Sequence, residues 1–200
     1  MNFFDYAFHH IGCALRIVRG DARALADMDV SADGFWRSFE AIVAAFPAML
    51  FAWVVYARQI QAEGSLDPTM SIVTRLATLE IALWILPVIV LAVILPPLGF
   101  RHRFSHFIIA RNWLGAALAY LFVIVSLAQL VLERGGEQSP VTMLLALIAI
   151  AVAFMASLRV TIAALATTGG IAFMFVFAEW VALIFIELQA MAVMGLLPEV

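Results

Sequence analysis

Three carboxylates, Glu80, Glu179 and Glu187, stand in stretches of sequence that otherwise carry almost no charge. Gln129 is a fourth long polar side chain in the same kind of setting. A charged side chain placed in hydrocarbon costs about 2.5–3.5 kcal/mol on insertion scales, so it needs a partner or a purpose. Two chemistries fit. Glu80 and Glu187, with Gln129 near them, can bind or relay a cation or a proton. Alternatively they pair with Arg58, Arg75 or hydroxyl groups and hold a helical bundle together. Glu179 precedes Glu187 by eight residues, which advance a helix by about 80° beyond two full turns, so the two face different directions. Glu179 is therefore assigned a structural ion pair with Arg159, across a turn at Gly169-Gly170.

Other constellations carry less. His102 and His106 share a helical face, yet two histidines fall short of a zinc site and no Cys, Asp or Glu is close to them in sequence. His9 and His10 are adjacent. Cys13 is the only cysteine, which excludes an intrachain disulfide and a Cys-based metal site. Ser126, Ser157 and Thr161 lie in apolar surroundings, where a hydroxyl usually bonds its own backbone. Gly115 and Ala119 form one small-xxx-small pair. No phosphate-binding glycine loop, nucleophile elbow or zinc-protease helix is present. The chain thus reads as non-enzymatic, with no metal and no cofactor expected.

The elements that must position these groups are apolar runs. Residues 41–57, 81–100, 112–132, 138–158 and 160–178 contain no Asp, Glu, Lys or Arg. A bilayer core of ~30 Å takes about 20 mostly apolar residues per helix. Hydrophobic residues make up 66% of the 200 and charged residues 12%, against about 45–50% and 25% in a soluble domain. The fold expected is an all-α polytopic transmembrane bundle in contact with a lipid bilayer. Its net charge of −3 argues against nucleic acid as a partner.

Five spans are predicted, at about 35–56, 76–95, 112–132, 141–166 and 170–195, with six as the alternative. Pro47 lies within the first and Pro87 within the second. Residues 57–74 and 99–111 read as loops. The charges at Arg159, Glu179 and Glu187 leave open a division of the last 60 residues into three short helices, but only Thr167-Thr168-Gly169-Gly170 looks like a turn. Residues 1–34 form a separate polar segment, and 35–200 the transmembrane domain. In the segment, Phe4, Phe8, Ile11, Leu15 and Val18 recur at helical spacing, with Arg16, Arg19 and Arg23 on or near the other face. Such a helix lies in the headgroup region or packs on the protein's own spans.

Arginine placement orients the chain. With five spans, Arg16, Arg19, Arg23, Arg37, Arg101, Arg103, Arg111 and Arg159 fall on the N-terminal side, and only Arg58, Arg75 and Arg134 on the other. The positive-inside rule then puts the N terminus in the cytoplasm and the C terminus outside.

The stretch Arg103-Phe104-Ser105-His106-Phe107-Ile108-Ile109-Ala110-Arg111-Asn112-Trp113 resembles a segment of uncharacterised small integral membrane proteins of alphaproteobacteria, as does Ala32-Asp33-Gly34-Phe35-Trp36-Arg37-Ser38-Phe39. In layout the chain is also similar to the Yip1-like family, which has a cytoplasmic N-terminal segment and five closely spaced spans. The first resemblance implies a location, the bacterial inner (cytoplasmic) membrane, in which the arginine bias makes the C terminus periplasmic; the second implies an architecture, and neither carries a functional residue. The function expected is a structural, scaffolding or partner-interaction role in the membrane, through membrane protein partners or self-association. The alternative is a small transporter or channel-like subunit using the intramembrane carboxylates. The two readings differ in whether those carboxylates turn inward around a cavity.

Overall fold

The side chain of Asn2 accepts the Asp5 backbone N–H at 2.9 Å and so caps the first helix, α1 (Phe3–Val18). The chain leaves α1 through Gly20, whose φ of +104° favours glycine. A 3-10 turn over Ala22–Asp27 leads to Ser31, which caps α2 (Ala32–Arg37) by accepting the Gly34 N–H. Gly34 itself is demanded by close approach, since a Cβ there would run into the backbone carbonyl of Asp29. The structure, a computed structural model, describes residues 2–62, 64–133 and 139–196.

α2 runs into α3 (Glu40–Ala62) to make a first candidate span over Ala32–Ala62. α4 (Thr69–Ile94), α5 (Phe104–Leu132), α6 (Pro140–Leu165) and α7 (Gly169–Val193) follow, and a 3-10 turn at Arg101–Arg103 precedes α5. With that turn and α2 included, five helices are long and apolar enough to cross a membrane. Even α7, the shortest at 25 residues, extends about 38 Å, longer than a ~30 Å hydrocarbon core. The expected all-α, five-span architecture with a short N-terminal helix is what the structure contains.

Several boundaries differ from expectation, and for one reason. Polar residues near a membrane can stay helical where their side chains find partners. α4 begins at Thr69, just after Pro68, because proline is tolerated at a helix start. The hydroxyls of Thr74 and Thr78 bond the carbonyls of Met70 and Thr74. α3 continues through Arg58 to Ala62, so the loop expected over 57–74 shrinks to the residues between Ala62 and Thr69. α5 starts eight residues before Asn112, drawing Arg111 into the helix and out of the expected 99–111 loop. Between α6 and α7 the left-handed residue is Ala166, at φ 50°, whereas Gly169 and Gly170 open α7.

α5 is the centre of the bundle, packed on α3 along one side and α6 along the other, while α1 lies against α5 and α6. The buried face of α1 is Tyr6, Ala7, His10, Cys13, Ala14 and Ile17. The apolar stripe is divided: Ile11 and Val18 pack against the core, whereas Phe4 and Phe8 are 68% and 73% exposed. Rings on an uncovered face suit an acyl boundary, and small residues on the inner face let α1 approach its neighbours. The Arg159 guanidinium donates to the Val18 carbonyl at 3.0 Å, fastening the end of α1 to α6. α7 is the least covered span, with only Ala172 and Val176 buried.

Candidate functional site

A cavity of about 340 Å³ opens between α4, α5, α6 and α7. It exists because α4 meets α5 and α7 over short lengths only, whereas α5 and α6 pack closely. Glu80, Glu179 and Glu187 all line it. The 80° between Glu179 and Glu187 does not separate them as expected. Trp180 and Leu183 lie between them on the same wall, so one side of the cavity takes in the whole arc. Gln129 is absent from the lining.

Glu179 has an ion-pair partner, though not Arg159. Its Oε1 accepts from Arg111 Nε at 2.8 Å, with side chains 15% and 20% exposed. Arg159 is turned towards Val18 instead. Depth permits the pair, since Arg111 stands seven residues into α5 and Glu179 ten residues into α7, about 10 and 15 Å along helices that start on the same side, and the docking of α1 takes Arg159 out of the contest. The expected Arg159–Glu179 pair is thus replaced by an α5–α7 pair that spans the cavity.

Glu80 and Glu187 are different. They interact electrostatically with each other, and among the described residues neither has an ion-pair or hydrogen-bond partner. Arg75, a partner expected from sequence, is committed elsewhere. It pairs with Asp67 and donates to the Met194 carbonyl at 2.6 Å, tying the start of α4 to the end of α7. Glu80 is half-buried, and Glu187 sits on the exposed side, six residues from the end of α7. Neighbouring carboxyls without a counter-charge disfavour ionising together, so one of them tends to hold its proton.

Trp84, four residues beyond Glu80, forms part of the wall and is fixed twice over. Its indole N–H donates to Asn112 Oδ1 at 3.1 Å, and Asn112 Nδ2 donates to Ser38 Oγ at 3.0 Å. Ser38 Oγ in turn donates to the Phe35 carbonyl at 2.7 Å. Asn112 and Ser38 are fully buried, so this chain links α2, α4 and α5 where water does not reach. On its other side the indole lies on Gly115, where an added Cβ would stand 3.2 Å from the ring. Sequence reading noticed Gly115 as a packing residue and missed the Ser38–Asn112–Trp84 chain; Asn112 inside an apolar run was its one visible signal.

A second polar cluster lies under α1. Tyr6 carries the His10 ring at 3.9 Å between centroids and the Arg37 guanidinium at 3.6 Å. His10 Nε2 accepts the Asp29 N–H at 3.2 Å, which leaves Nδ1 to donate to the Tyr6 carbonyl at 2.9 Å. Burial is the main force holding the His10 pKa below 6.5, and burial likewise pushes the Cys13 thiol up. This cluster docks α1. Among the described residues no group of three or more His, Cys, Asp or Glu comes together to hold a metal ion.

Comparison with family models, curated proteins and solved structures finds no match to this chain. The resemblances seen in the sequence therefore extend to a five-span helical membrane architecture and to no family.

Proposed function

We propose that this multi-pass membrane protein is a small non-enzymatic carrier or channel-like subunit whose cavity binds a cation or proton at Glu80 and Glu187. One observation carries the reading: carboxyls from helices 107 residues apart in sequence line the same cavity, each without a counter-charge among the described residues. A purely structural role for them called for Arg58, Arg75 or hydroxyl groups as partners; Arg75 is engaged by Asp67, and among the described residues no arginine or hydroxyl bonds either carboxyl. The Arg111–Glu179 pair ties α5 to α7 beside that site. We place it in a bacterial inner membrane, and the arginine distribution supports an orientation with the N terminus in the cytoplasm. Arg134 lies outside the described residues, and the bias rests on the others.

The scaffold reading draws on α7. A 25-residue helix with two buried residues leaves most of its surface for lipid, a membrane protein partner or a second copy. The two readings are compatible if the subunit works within a larger assembly.

The experiment is ion- and pH-dependent melting of the protein in lipid nanodiscs. A ligand that binds only the folded state raises its stability by mass action. The wild type is expected to melt at a temperature that depends on sodium, potassium or pH, and the E80Q/E187Q double variant to lose that dependence. Identical curves for both proteins in every condition would refute the cation site.

A further inference from the structure

The wall of the cavity restricts what kind of cation fits. Four aromatic side chains, Trp84, Phe107, Phe122 and Trp180, line the same space as Glu80 and Glu187. Calcium takes six to eight oxygens and magnesium near-ideal octahedral geometry. The cavity has no such convergence among the described residues, and Glu179 is already engaged by Arg111. A hydrated inorganic ion would also face hydrocarbon and ring carbon that return no hydrogen bonds. An organic cation meets both halves of the wall, because its apolar body displaces water and its charge is attracted to carboxylates and to aromatic π-systems. The volume of about 340 Å³ lies at the small end of ligand pockets, which run from about 300 to 1,000 Å³.

We propose that the cavity between α4, α5, α6 and α7 takes a small organic monocation, its apolar body among these aromatic side chains and its charge at Glu80 and Glu187. The Arg111–Glu179 pair, with its charges cancelled, leaves Glu80 and Glu187 as the carboxyls open to a cationic headgroup. The proposal rests on the cation-site reading above and names the class of ligand.

The probe is benzyltrimethylammonium, compared with neopentylbenzene, in which carbon replaces the charged nitrogen without changing the shape. Binding is read from tryptophan fluorescence and isothermal calorimetry of the full chain in nanodiscs. Saturable binding of the cation is expected, weakened at least tenfold in E80Q, with the neutral analogue giving only linear partitioning. E187Q, on the exposed side of α7, is the second variant should E80Q not fold, and is expected to weaken binding as well. Absence of saturable binding, equal binding by folded E80Q and E187Q, or equal saturable binding of the neutral analogue would overturn the proposal. If the organic cation fails while sodium- or pH-dependent melting persists and is lost in E80Q/E187Q, the cation site stands and only its ligand class falls. If both fail, both readings fall.

Discussion

Arg111 Nε and Glu179 Oε1 meet at 2.8 Å across the cavity, joining the central helix α5 to α7, the helix with the least packing of its own. Removing one member strands the other charge in a poorly hydrated site, which in buried pairs costs about 3–5 kcal/mol. Both side chains are less than a quarter exposed, so most of that cost applies. R111M and E179Q are each expected to lower stability in detergent by about 3 kcal/mol. The R111M/E179Q double variant should recover a good part of the loss, which a thermodynamic cycle measures. Additive losses would show that the two groups do not act as a pair.

Gly115 tests the seat of Trp84. An alanine there would press its Cβ to 3.2 Å from the indole, and overpacking of this kind costs about 1–3 kcal/mol. G115A is expected to shift the emission of Trp84, read in a variant with the other tryptophans replaced by phenylalanine, and to weaken binding of a cationic probe. Unchanged emission and binding would mean that the ring has room to move.

Asn112 tests the polar chain behind that ring. N112L removes the acceptor of the Trp84 N–H and the donor to Ser38, and an unsatisfied buried group costs about 1–3 kcal/mol. A loss of about 2 kcal/mol is expected. Combining N112L with S38A should cost less than the sum, since the Ser38 hydroxyl has by then already lost its bond from Asn112 and keeps only the one to Phe35.

His10 should make the docking of α1 sensitive to acid. Its ring is neutral in the fold, and Asp29 N–H points at the nitrogen that a proton would take. Tyr6, His9, Asp29 and Arg37 are the titratable or charged groups that bear on it. Because the folded pKa lies below 6.5, the unfolded chain binds the proton first as pH falls. Stability from this group is complete above about pH 6.5 and is lost from there down through the lowered folded value. Hydrogen exchange, corrected for intrinsic rate, is expected to quicken over residues 3–18 between pH 7.5 and 5.5 in the wild type. In H10Q the response should flatten; a wild-type response of the same size there would assign the effect to another group.

Much of this architecture was legible in the sequence because lipid imposes a coarse rule: long uncharged runs must be helices. That rule found the five spans and the two-helix reading of the last 60 residues. It did not find the helix starts at Thr69 and Phe104, neither of which carries a side-chain cap to mark it. The unusual carboxylates were equally legible, for Glu80 and Glu187 proved to share a cavity. The partner of Glu179 was not. Choosing Arg111 over Arg159 requires knowing that α1 docks beside α6 and takes Arg159 for the Val18 carbonyl. Whether Phe4 and Phe8 face outward or pack on the spans stayed open in the sequence for a similar reason: α1 has apolar or small residues on two faces, and packing selects the smaller ones.

Reaction of the protein in nanodiscs with dicyclohexylcarbodiimide, mapped residue by residue by mass spectrometry, compares the carboxyls directly. Glu80 and Glu187, which lack counter-charges, are expected to be modified, and Glu179, held by Arg111, to be spared. Benzyltrimethylammonium should protect the first two. Modification of Glu179 to the same extent as Glu80 would contradict the division into one paired and two open carboxyls.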